Sequence, residues 1–87
     1  MQIEYSKNFI KEFGKCPVNI KTNFKKRLEL FINDQFNNTL NNHPLSGKLK
    51  KYRSINITGD WRAIFEEIDD GRIIYFVAIG THSQLYS

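Results

Sequence analysis

Cysteine is almost absent from this sequence, with Cys16 standing alone. A single thiol excludes an internal disulfide and any zinc site built on several cysteine ligands. With no catalytic base near it in sequence, Cys16 beside Pro17 reads as structural. Histidine is nearly as scarce, confined to His43 and His82. No apolar run is long enough to span a bilayer, and the opening MQIEYSKNFIKEFGK lacks the apolar stretch of a signal peptide. No membrane association is therefore expected, and the cytoplasm is the expected location. Repeats, linkers and low-complexity tracts are also missing, apart from a cluster of asparagines between Asn37 and Asn42.

What is present is a globular composition, 40% apolar and 14% aromatic over 87 residues. That length suits one domain, residues 1–87, with one modest core. A domain this small is expected to be marginally stable alone, so a partner that wraps it would help. The net charge of +4 is unevenly spread. From His43 to Arg62 the basic residues Lys48, Lys50, Lys51, Arg53 and Arg62 face Asp60 alone, while the rest of the chain balances. A local basic patch is the footprint of a polyanion binder, or else a solvated lysine-rich face.

Hydrophobic periodicity gives the architecture. Gln2 to Ser6 alternates like a short strand, Ser6 is a fitting helix N-cap, and Phe9, Ile10 and Phe13 follow at helical spacing up to Gly14. Pro17 suits the first turn of a second helix, whose apolar stripe reads Ile20, Phe24, Leu28, Phe31, Ile32 and Phe36. Lys21, Lys25, Lys26 and Arg27 read as its solvated face. FNNTLNNHPLSG is a loop. Beyond Lys48 the period becomes two: one strand around Ile55 and Ile57, a Gly59-Asp60 turn, WRAIFEEI, an Asp-Gly hairpin turn at 69–71, and the apolar RIIYFVAIG. The expected fold is α+β: a helical hairpin packed in two layers on a mainly antiparallel sheet of about four strands, in the order β-α-α-β-β-β. Strand parity leaves Tyr52, Asn56, Arg62 and His82 on the sheet face turned away from the helices, and groups Trp61 with Phe65 in the core.

The stretches HPLSGKLKKYRSINITGDWRAIFEE and IIYFVAIGTHSQLYS resemble the RelE/ParE toxin superfamily of type II toxin–antitoxin systems, and its YafQ-like branch best. The resemblance rests on His43-x-Leu45-x-Gly47, Tyr52-Arg53, Asp60-Trp61 and Gly80-Thr81-His82-x-x-Leu85-Tyr86. It covers the C-terminal half specifically; the N-terminal strand and helices agree in order and length. It implies a RelE-like fold and an endoribonuclease that cleaves messenger RNA, usually in the decoding site of the ribosome, with no metal or other cofactor. In such chemistry the 2′-hydroxyl attacks the adjacent phosphorus, which calls for a base, an acid and cations to balance charge.

The resemblance carries over to individual positions. His82 matches a histidine that transfers a proton, taken here as the general acid, and His43 matches one in the loop before the sheet. Asp60 matches an acidic residue that acts as base or orients a histidine. Arg62 matches a strand arginine that stabilises the transition-state phosphate, and Tyr86 an aromatic that stacks on a base or touches that phosphate. Lys48, Lys50, Lys51, Arg53 and Asn56 are expected to hold RNA and its phosphates. Asn56 departs from the pattern, since the branch has a histidine there, and asparagine cannot exchange a proton at pH 7. The expected partners are messenger RNA, the ribosome and a cognate antitoxin, in a complex that could be a heterotetramer. Each residue has a plainer reading: His82 capping the last strand, His43 filling a loop, Asp60 completing a turn. At the level of function the alternatives are a ParE-like poison of DNA gyrase and a non-catalytic homologue that binds the antitoxin.

Overall fold

The computed structural model describes residues 1–86. Strand β1 (Gln2–Tyr5) leads into helices α1 (Lys7–Gly14) and α2 (Val18–Asn33). An irregular stretch holds the two-residue strand β2 (His43–Pro44), and β3 (Tyr52–Asn56), β4 (Trp61–Ile68) and β5 (Ile73–Thr81) follow. A short helix, α3 (His82–Tyr86), ends the described chain. The sheet order is β1-β5-β4-β3-β2, with β1 parallel to β5 and every other pair antiparallel. The expected α+β architecture is what forms. The sheet has five strands, the extra one being β2, and α3 was not anticipated. Two residues in a run of asparagine and proline carry no alternation to read, and Pro44, which cannot donate to a ladder, is tolerated because β2 lies at the sheet edge.

Local sequence explains the helix limits. Ser6 caps α1, its Oγ accepting the Phe9 N–H at 2.9 Å. Pro17 occupies the N-cap of α2 with φ −56°. The α2 stripe read from sequence runs on to Phe36, but the helix does not. Asp34 leaves helical geometry at φ −156°, and Ile32 and Phe36 stay 51% and 64% exposed. The Phe36 ring instead lies beneath the Arg53 guanidinium, 5.5 Å away.

One sheet face carries the core. Phe9, Ile20, Phe24 and Phe31 from the helices bury against Ile55, Ile57, Ala63, Phe65, Ile74, Phe76 and Ile79. Trp61 packs at the margin of this cluster, as its parity with Phe65 predicts. Each fully buried phenylalanine or isoleucine stabilises by roughly 1.5–3 kcal/mol, so this layer fixes the sheet from which the opposite face is built. Cys16 is buried here, and burial raises its thiol pKa, in keeping with a structural role.

A bulge in β5 sets what that opposite face presents. Phe65 pairs with Phe76 and Ile64 with Ala78, leaving Val77 as an extra residue. Positions 76 and 79 differ by an odd step, so only the bulge lets Ile74, Phe76 and Ile79 all reach the core. Helix α1 takes up the displaced backbone groups. Asn8 Nδ2 and Ser6 Oγ donate to the Val77 carbonyl at 3.0 and 3.3 Å, and the Glu12 carboxylate accepts the Ile79 N–H at 3.2 Å. Downstream of the bulge, Gly80 pairs with Arg62 and so lies on the face away from the helices.

Candidate functional site

An open cleft of about 360 Å³ lies on the sheet side turned away from α1 and α2, lined by Asn41, His43, Leu45, Arg62, His82 and Tyr86. Three segments supply these side chains, residues 41–45, β4 and α3, and local hydrogen bonds hold each of them.

His43 enters through β2, where it pairs with Ser54. Its Nδ1 lies 2.7 Å from the Asn41 carbonyl oxygen. A carbonyl can only accept, so Nδ1 carries the hydrogen and the neutral ring keeps its lone pair on Nε2. Asn41 adopts the left-handed conformation at φ 46°, which asparagine tolerates better than most residues. The half-buried imidazole is thereby held in the tautomer of a base.

The β3–β4 turn anchors two further groups. Arg62 Nη1 donates to the carbonyls of Thr58, Gly59 and Trp61 at 3.2, 3.1 and 3.2 Å. Nη1 carries two of the five guanidinium hydrogens; the three on Nε and Nη2 have no protein acceptor among the described residues. The next carbonyl in the turn, that of Asp60, accepts the His82 N–H at 3.0 Å. One turn therefore fixes both a cation and the start of the helix that bears the second histidine. On α3, His82 and Tyr86 stand one turn apart with ring centroids 4.7 Å from each other, His82 exposed and Tyr86 half-buried.

Of the residues singled out from sequence, His43, Arg62, His82 and Tyr86 share this cleft. Asn56 pairs with Arg62 across the ladder, and its Oδ1 is buried with no hydrogen-bond partner among the described residues, as is Ser54 Oγ. Asp60 contributes its backbone carbonyl; its side chain is exposed and does not line the cleft. Lys48, Lys50 and Lys51 are exposed beside the cleft residues His43 and Leu45 in sequence but do not line it either. Arg53 lies elsewhere. It pairs with the core residue Phe65, donates through Nε to Asn42 Oδ1 at 2.8 Å and covers Phe36, which gives it a structural task on the helix side. Tyr52 also falls outside the cleft, its ring 5.1 Å from the Lys51 ammonium. Sequence reasoning passed over Asn41 and took Leu45 only as part of a motif, not as a cleft residue. The Asn-Asn pair before His43 signals a left-handed residue, but not that its carbonyl would meet the ring.

A model of the YafQ toxin family, a bacterial toxin of type II toxin–antitoxin systems, matches residues 1–87. The chain belongs to the YafQ toxin family. YafQ from E. coli strain BL21(DE3) is 27% identical, with a TM-score of 0.78 over 99% of this chain and 98% of that one. YafQ in the E. coli DinJ–YafQ complex is 27% identical, with a TM-score of 0.77 over 99% and 98% of the two chains. A YoeB/ParE toxin from Agrobacterium tumefaciens shares the fold at 14% identity, with a TM-score of 0.78 over 94% of this chain and 99% of that one. No curated protein matches the chain. The family match spans both halves, so the N-terminal strand and helices, which carry little sequence resemblance, belong to the YafQ fold as fully as the cleft-bearing half.

Proposed function

We propose that this YafQ-family toxin is an endoribonuclease that cuts messenger RNA on the ribosome by attack of the 2′-hydroxyl on the adjacent phosphorus. The observation that carries the reading is the meeting of two histidines, an arginine with three N–H donors that have no protein acceptor among the described residues, and an aromatic ring in one open cleft.

The geometry supports the following division of roles. His43, with Nδ1–H held by Asn41, takes the 2′-hydroxyl proton on Nε2. The 2′-oxygen then bonds to phosphorus and the bond from phosphorus to the 5′-oxygen breaks. His82, exposed and pinned through its backbone to Asp60, gives a proton to the departing oxygen. The products are a 2′,3′-cyclic phosphate and a free 5′-hydroxyl. Arg62 directs its free N–H groups at the charge that builds on the phosphoryl oxygens, and needs no reorganisation because Nη1 is already tied to the turn. Tyr86 offers a face for a base. Asp60 orients His82 through its carbonyl, a role its side chain does not determine. Lys48, Lys50 and Lys51 attract the RNA backbone, and Asn56, which pairs with Arg62 in the ladder, helps to hold it. The nucleophile belongs to the substrate, so the scheme calls on no metal. Residues 1–87 act as one domain in this reading, and the reaction takes place in the cytoplasm among ribosomes. The DinJ–YafQ complexes support a cognate antitoxin as the partner that silences it, in a heterotetramer or a simpler complex.

Primer extension on a message in a reconstituted translation system tests the reading. New 5′ ends that depend on the protein are expected. Blocked translation with the message intact would overturn it in favour of a non-cleaving poison.

A further inference from the structure

We infer that Thr81 and Gln84 are positioning residues: a reciprocal pair of hydrogen bonds between them holds α3 in shape and so sets where the His82 and Tyr86 rings stand. The inference rests on the nuclease reading of the cleft and deepens it.

Helix α3 has five residues, His82–Tyr86. Helices this short do not persist unaided in water, because the ordering cost of the first turn is not recovered by later hydrogen bonds. Its first N–H groups also lack partners within the helix. Both needs are met from within Thr81–Gln84. The Gln84 side-chain oxygen accepts the Thr81 N–H at 2.8 Å, and Thr81 Oγ1 accepts the Gln84 N–H at 3.3 Å. This is a capping box with Thr81 at the N-cap and Gln84 at the third helical position. Between them, the His82 N–H goes to Asp60. The first turn of α3 is thus closed on itself and tied to the turn that also holds Arg62.

Gly80 is part of the same arrangement. A Cβ at position 80 would stand 3.1 Å from Gln84 Oε1 and 3.4 Å from two carbons of Leu85. The oxygen it would press is the one bonded to Thr81, so the few tenths of an ångström it must give are taken from that bond. Gly80 lies opposite Arg62 in the ladder. A side chain there would disturb the helix from beneath, next to the cation that His82 must work with. Neither Gln84 nor Thr81 lines the cleft, so any effect on chemistry passes through the two rings.

The test uses Gln84→Ala, Gln84→Glu and Gly80→Ala in the full chain. Glutamate keeps an acceptor oxygen at the same reach and serves as the rescue. Proton NMR reads the proximity of the His82 and Tyr86 rings, whose centroids are 4.7 Å apart. Single-turnover cleavage of ribosome-bound message and ribosome binding are measured alongside, with circular dichroism to confirm the fold. Gln84→Ala should separate the rings and cut roughly 10- to 100-fold more slowly, the scale of loss when a reacting group is misplaced by about 1 Å. Ribosome binding should be unchanged, since the lysines that meet the RNA are untouched. Gln84→Glu should restore both ring proximity and rate, and Gly80→Ala should behave like Gln84→Ala. If the rings of Gln84→Ala stay together, or separate while it still cuts at the wild-type rate, the inference is wrong. If wild-type protein leaves the message intact while the ring signals respond to Gln84→Ala and Gln84→Glu as stated, the nuclease reading falls and the placement of the rings by Gln84 stands.

Discussion

Replacing His82 with alanine separates catalysis from folding more cleanly than any other change in the cleft. The side chain is exposed, and the hydrogen bond that places the residue is made by its backbone N–H to the Asp60 carbonyl, which alanine keeps. What folding forfeits is the tilted ring pairing with Tyr86 at 4.7 Å. Aromatic pairs contribute about 0.5–1.5 kcal/mol, and an exposed pair lies at the low end, so the variant should unfold within about 1 kcal/mol of wild type. The chemical loss is much larger. A positioned proton donor accelerates its step by roughly 10²–10⁴-fold, which corresponds to about 2.7–5.4 kcal/mol of barrier. Single-turnover cleavage of ribosome-bound message should therefore fall by that factor while the denaturation midpoint barely moves. His82→Gln should be nearly as slow, because it can hydrogen-bond but cannot give up a proton at neutral pH. Denaturant melts and ribosome-binding assays accompany the kinetics. If His82→Ala cuts at the wild-type rate while Arg62→Ala is inactive, the acid role is misassigned and charge stabilisation by Arg62 carries the reaction.

Three further outcomes are expected. Changing Lys48, Lys50 and Lys51 to alanine should weaken RNA binding and flatten its log–log salt dependence by about 0.7–0.9 for each phosphate no longer neutralised, read from binding titrations at several salt concentrations; an unchanged slope would mark these lysines as solvated surface. Asn56→His should keep or raise the cleavage rate, because it places an imidazole across the ladder from Arg62 where Oδ1 has no partner among the described residues; a rate well below wild type would show that the carboxamide is needed. Glu12→Ala should destabilise the fold by about 1–3 kcal/mol in urea melts, since the Ile79 N–H would lose its acceptor at the bulge; a smaller effect would mean that another group takes over.

The element types and the face that bears the cleft could be read directly because hydrophobic parity survives in β3 and β4. Ile55, Ile57, Ala63 and Phe65 point one way, and Asn56 and Arg62 must point the other. In β5 parity gives no guidance, since the strand is apolar on both sides and its phase changes at Val77. The bulge depends on Ser6, Asn8 and Glu12, which lie 67 to 71 residues before the groups they bond, and no local pattern announces such a bond. Arg53 shows the opposite case, a parity signal that was there to read. The parity that put Tyr52 and Asn56 outward already places Arg53 with Ile55 on the helix side, but counting charge along the chain groups it with the lysines. The Thr81-x-x-Gln84 spacing was legible as a capping box, though four residues of polar sequence after a strand give little reason to expect a helix.

The parallel pairing of β1 with β5 also constrains the order of assembly. Residues Gln2–Tyr5 have their strand partner in Ile73–Phe76, so β1 has no partner until the chain has been made almost to its cleft-bearing helix. The same late strand supplies Ile74, Phe76 and Ile79 to the core and receives the bonds from α1. Contacts so far apart in sequence close late and slowly. A chain still emerging from the ribosome therefore has Arg62 without the strand that faces it and His43 without the second histidine. On the nuclease reading, the cleft becomes competent only once β5 and α3 have joined the sheet, so activity is coupled to completion of the fold.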